Sequence, residues 1–245
     1  MRKSLVLLCV LLAAAPFAAA SSASPFADFE TRVRGELIKP LALDLGGLLG
    51  SASAHTGRSL GLPGFWAGAI GAAQFSPDKN DLILRDSGVK AFGLPMLEVG
   101  VGLPFKVDVI ARGMKIYDAS IFGAGLRYGL YRTDLIDTFL PNVSLAAFGD
   151  RVNHKSFSAT HGGFDAAATW NLPIVKPFFV AGFDVTALKV GAAAAPGVAG
   201  MSATARGSRF SVGAELTPFP FVALRGACTL RHGMSGFDAG LGVKF

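Results

Sequence analysis

His161 and Asp165 are the residues whose types and spacing come nearest to a catalytic pair. Four apart on an extended strand, they share a face, with Thr169 further along it. An imidazole backed by a carboxylate is the layout of a base that activates a nucleophile. Ser158 lies at odd spacing from His161, so strict alternation turns its hydroxyl to the opposite face. An interior hydrogen bond is therefore the expectation for His161, and the chain is not expected to be an enzyme. His55 and His232 stand isolated, and His154 is expected in a solvated loop with Asp150 and Arg151. No two histidines have metal-ligand spacing on one element. The 31 glycines are spread along the chain without phosphate-loop spacing before a helix. Neither a cofactor nor a metal is expected.

The charged residues say more. By alternation, Glu98, Asp108, Asp165, Asp184, Glu215 and Asp238 are expected on an interior face shared with Lys106, Arg112, Arg127, Arg225, Arg231 and Lys244. Charges removed from water are costly unless paired. Six acids against six bases therefore fit a salt-bridged, sealed or narrow interior. A selective ion path more often carries one sign, because a ring of like charge sets the field. A conducting or ligand-passing interior stays open as the alternative. Cys228 falls on the outward face with Val222, Leu224 and Leu230.

These residues must be positioned by elements that suit an unusually apolar chain. Of 245 residues, 51% are hydrophobic and 16% charged, with a mean hydropathy of +0.46. Soluble domains carry roughly 25% charged residues. A spanning helix needs about 20 consecutive apolar residues, and none occurs beyond the N-terminus. The other route across a bilayer is a closed sheet, which also satisfies every backbone group. Arg2 and Lys3, the apolar run Leu5–Phe17 and Ala18-Ala19-Ala20 read as a signal peptide. Its removal leaves Cys228 as the sole cysteine and no disulfide framework. The formal charge of +6 would fall by two, and no basic run points to nucleic acid.

Phe26, Phe29, Val33 and Leu37 form a helical stripe that Pro40 is expected to interrupt, followed by a second short helix over Leu41–Leu49. This segment is expected either to plug the lumen or to cap the periplasmic mouth. From Leu62 the pattern has period two. Ten strands are expected near Pro63–Phe75, Pro95–Gly102, Phe105–Met114, Ala119–Leu130, Asn142–Phe148, Phe157–Trp170, Pro177–Leu188, Arg209–Leu216, Phe221–Leu230 and Phe237–Phe245. Counted back from Phe245, alternate connections are short and contain Pro104, Pro141, Pro173 or Pro218 with Pro220. The two longest connections, Ser76–Ala91 and Lys189–Ser208, have the opposite parity. Barrels of the outer membrane have short periplasmic turns and longer outside loops. A small helical turn is also expected at Arg132–Leu140. Aromatics (Phe65, Phe75, Phe105, Tyr128, Phe157, Trp170, Phe210, Phe221, Phe237 and Phe245) cluster near strand ends, as interfacial girdles do. A soluble sandwich with an aromatic core is the competing fold.

The stretches Leu94–Pro104, Asp108-Val109-Ile110-Ala111-Arg112 and Phe122–Tyr128 resemble a group of uncharacterised bacterial outer-membrane barrels, and Ile38-Lys39-Pro40-Leu41 and Ala54-His55-Thr56 fit its pre-barrel segment. A helical segment before a barrel is more distantly similar to the long-chain fatty-acid transporter superfamily. The resemblance implies assembly by the barrel-insertion machinery and brings no catalytic or ligand residues. The expected protein is all-β: an antiparallel transmembrane β-barrel of about ten strands with a short N-terminal helical segment. Residues 1–20 are the expected signal peptide, 21–61 the helical segment and 62–245 the barrel. The expected function is a narrow channel or transporter for small or hydrophobic solutes in the outer-membrane lipid, with a structural or surface-interaction barrel as the alternative. Oligomeric state is left open.

Overall fold

The computed structural model describes residues 26, 28–51, 56–116, 118–132, 140–192 and 197–245. The expected signal peptide, His55 and most of the expected helical turn at Arg132–Leu140 lie outside the described residues.

Ten strands follow one another: β1 (Phe65–Gln74), β2 (Phe92–Gly102), β3 (Val107–Ile116), β4 (Ala119–Tyr131), β5 (Asn142–His154), β6 (Phe157–Thr169), β7 (Val175–Val190), β8 (Ser202–Phe219), β9 (Val222–Arg231) and β10 (Met234–Lys244). Each pairs antiparallel with its sequence neighbours, and β1 pairs with β10, so the sheet closes into a barrel and no sandwich forms. The closing seam runs from Trp66 opposite Lys244 to Gln74 opposite Gly236. It ends where Phe65 N donates to Phe245 O at 3.2 Å and Phe245 N to Phe65 O at 3.0 Å. This end is the terminal rim. The connections bearing Pro104, Pro141, Pro173 and Pro220 open on it, and the stretches 75–91 and 191–201 open on the opposite, loop rim.

Most strands outrun their expected bounds, β5 and β8 by the most. β5 continues past Phe148 to His154, because Asp150 turns inward to an arginine rather than into a solvated loop. β8 begins at Ser202, seven residues before Arg209. β1, β3 and β9 start later than expected, and at β3 a charged residue is displaced. Phe105 and Lys106 adopt φ of 63° and 62° in the turn after Pro104, so β3 begins at Val107. Lys106 is thereby lost from the interior and stands exposed on the rim. The β2–β3 ladder pairs only Leu97–Gly102 with Asp108–Gly113. Pro95 lies just beyond its end, where it has no backbone N–H to donate.

Along the strands the two faces differ in kind. Inward positions bury Asp108, Arg112, Asp165, Asp184, Arg209 and Asp238, while outward ones expose Leu97, Phe122, Leu126, Phe164, Val212 and Leu230. Phe157 is an exception to the expected girdle, since it faces inward and is buried.

The N-terminal residues form α1 (Phe29–Arg32), a 3-10 turn (Gly35–Leu37) and α2 (Ile38–Ser51), and α3 (Leu82–Asp86) lies in the β1–β2 connection. Pro40 does not interrupt a helix. It occupies the first turn of α2, where a missing N–H costs nothing. α2 is apolar nearly all round, as a helix enclosed on every side must be, and it packs inside the barrel against β1, β2 and β6–β9. Phe26 and Phe29 enter at the loop rim, where their rings meet Phe157 at 5.2 and 5.0 Å. Residues 28–51 thus lie on the loop-rim side of the lumen and residues 56–61 on its terminal-rim side.

Candidate functional site

Of the charged residues and the histidine expected on the interior face, all but Lys106 lie in the lumen. Its middle is a chain of ion pairs. Arg112 donates to Asp150 through Nε at 2.8 Å and Nη2 at 2.7 Å, and its guanidinium covers the Phe148 ring at 4.7 Å. Arg209 Nη2 reaches Asp165 at 2.7 Å and Asp184 at 3.2 Å. Arg127 Nε donates to Asp108 at 2.8 Å. Arg231 pairs with Asp238, which also accepts from Thr229. Near the terminal rim Glu215 gathers Arg225 at 3.0 Å, Lys176 at 3.7 Å and Lys244. Arg225 stacks on the inward Trp66 ring at 4.1 Å. Glu98 is buried opposite Arg112 in the β2–β3 register.

Three of these residues escaped the sequence reading although its own rule pointed to them. Asp150 has the parity of Phe148, Arg209 that of Glu215, and Lys176 that of Asp184. With them included and Lys106 removed, the inward strand charges remain balanced.

His161 does not face Asp165. Its Nδ1 lies 3.0 Å from Thr186 Oγ1, and its Nε2 stands 3.7 Å from Asp184 and 4.0 Å from Asp150. Asp165 is held by Arg209, and Thr169 Oγ1 accepts from Gly57 N at 2.8 Å. His232 is not isolated: its ring bridges Leu43 O at 3.0 Å and Asp184 at 3.2 Å, tying α2 to the wall. His154 ends β5 stacked on Phe157, with ring centroids 4.7 Å apart.

The N-terminal segment is bound to this wall along its length. Ser51 Oγ accepts from Arg231 Nε at 2.6 Å. Asp44 accepts from Gln74 Nε2 at 2.7 Å and from Asp78 N at 2.9 Å. A Cβ at Gly46 or Gly50 would overlap Thr186 or the Asp184 carboxylate, and one at Gly47 would press on Arg231 at 3.1 Å. These glycines let the helix backbone touch the wall. Asp108 accepts from Leu60 N at 2.9 Å and Gly61 N at 3.3 Å, and Ser144 Oγ donates to Thr56 O at 3.0 Å.

Asp44 and Asp81 lie where α2 meets the loop rim, outside the spanning strands, and both are fully buried. Burial lifts Asp44 from the usual carboxylate range to about 8 and Asp81 to about 6. Each stands close enough to influence the other, and two buried carboxyls in contact favour retaining a proton.

The fold and interior together define a closed ten-stranded barrel with a polar lumen, an apolar exterior and an internal helix. No family model matches the chain, and no curated protein does. Among solved structures it is similar to a loop-deletion form of OmpT, an outer membrane protein of Vibrio cholerae, at 12% identity and a TM-score of 0.33, over 62% of this chain and 54% of that one. The chain thus spans about half of that structure's length. It is also similar to neisserial surface protein A (14%, TM-score 0.31, 74% and 95%) and to Ail of Yersinia pestis (12%, TM-score 0.30, 75% and 100%).

Proposed function

We propose that the chain is an outer-membrane barrel that offers a narrow, gated passage to small solutes and rests closed, with α2 as its plug. The observation that carries this is α2 itself, held inside the barrel by Arg231, Gln74 and His232. The outward band of Leu97, Phe122, Leu126, Phe164 and Val212 supports a lipid environment. In that setting the terminal rim faces the periplasm, and assembly uses the barrel-insertion machinery. An internal N-terminal segment also supports the distant resemblance to the fatty-acid transporters. The role is not catalytic, since His161 and Asp165 are committed to different partners. The paired lumen charges favour a second reading, a structural barrel without transport.

Planar-bilayer recording separates the two. The intact chain is expected to be silent or nearly so. A chain lacking residues 28–51 is expected to open in resolvable steps. Equal, resolvable conductance from both forms rules out the plug, and silence from both favours the structural reading.

A further inference from the structure

A cavity of about 520 Å³ opens at the terminal rim, between residues 56–60 and the ends of β7–β10. That size suits a small-molecule site. Its charge is unlike that of the rest of the lumen. Among the described residues Arg58, Lys176, Arg225 and Lys244 line it, with Glu215 as the one acidic side chain. In the middle of the barrel two carboxylates hold Arg209. Here one carboxylate serves three bases. Arg58 has another cation, Arg132, close enough to oppose its charge. The surplus is three positive charges, or two where Phe245 carries a terminal carboxylate.

Such a surplus is unfavourable in a partly enclosed space unless something answers it. Water and free salt do so weakly, whereas a bound anion does so directly with charge-assisted hydrogen bonds. Arg225 is already fixed between Glu215 and the Trp66 ring, so part of the site is preorganised. The remaining wall supplies neutral polar groups, including Thr56, Asn171 and Thr217.

We infer that this cavity binds a compact, multiply charged anion, a polycarboxylate or a phosphorylated small molecule, between Arg58 and the Lys176–Lys244 pair. The site does not depend on whether the lumen conducts, so it stands or falls apart from the gated passage. Glu215 competes with the ligand for the same lysines.

Calorimetry on the refolded full chain in a neutral detergent tests it, with citrate, pyrophosphate and acetate as probes. Citrate or pyrophosphate is expected to bind at least about tenfold more tightly than acetate, and more weakly as salt rises. The stronger of the two identifies carboxylate or phosphate as the preferred group. Lys176→Gln with Lys244→Gln is expected to cost about tenfold or more. Glu215→Gln is expected to tighten binding several-fold, which a merely structural Glu215 would not do. Where the double variant fails to fold, Arg58→Gln on the exposed segment replaces it, with an expected loss of several-fold. Acetate binding as well as citrate overturns the inference. So does unchanged citrate affinity in a folded variant lacking either the lysine pair or Arg58.

Discussion

Arg209 shows how much of this interior rests on single charges. It is buried between Asp165 and Asp184, and Asp184 also meets His232 and lies near His161. Removing the guanidinium leaves two carboxylates facing one another without their cation. Breaking a buried ion pair from one side costs about 3–5 kcal/mol. Arg209→Met is therefore expected to lower the unfolding free energy of the refolded barrel, read from urea titration, by that order. Asp165→Asn is expected to cost less, because Arg209 keeps Asp184. Equal and small losses in both variants would mean that the triad is solvated. At this scale the sequence was legible wherever a strand's parity applied, and Arg112, Arg127, Asp165, Asp184, Arg231 and Asp238 all turned inward by that rule. It was not legible at turns. Lys106 left the pattern because a positive φ after Pro104 ends the alternation. His232, also at positive φ in a two-residue connection, has no periodicity to reveal that it reaches Asp184.

The helix α2 is the element whose placement sequence periodicity could not give. A segment apolar on all sides announces enclosure but not which walls enclose it. The signal that was present lay in Gly46, Gly47 and Gly50, a glycine face on a helix, which marks close backbone approach. The ten strands were legible because lipid-side and lumen-side positions alternate in hydropathy, and only their ends slipped. The contact between α2 and the loop rim carries a pH dependence. Asp44 is raised above its ordinary range by burial, so its neutral form belongs to the packed state. Its contribution is full at pH below the ordinary carboxylate value and is lost as pH rises through about 8, with Asp81 adding to the loss up to about 6. Hydrogen exchange of α2 amides, corrected for intrinsic rates, is expected to accelerate between pH 5 and 9. Asp44→Asn, which stays neutral, is expected to flatten that profile. A wild-type profile as flat as the variant's would remove Asp44 as a pH-sensitive latch.

The strand wall is inverted relative to a soluble protein: buried ion pairs line its inner face and large apolar side chains such as Leu97, Phe122 and Val212 cover its outer face. No described helix is long and apolar enough to cross a membrane. The outer surface makes a prediction that depends on depth. Leu126 and Leu130 both face outward from β4, 57% and 48% exposed, with Leu126 near mid-strand and Leu130 near the terminal rim. In a bilayer an arginine on the lipid face costs about 2–4 kcal/mol at the midplane and about 0–1 kcal/mol near the interface. Leu126→Arg is therefore expected to lower refolding stability in lipid vesicles by the larger amount, and Leu130→Arg by the smaller. In water an exposed Leu→Arg change would cost little at either site. A gradient between the two variants supports a membrane-spanning exterior, and its absence would place the barrel in water despite its apolar wall.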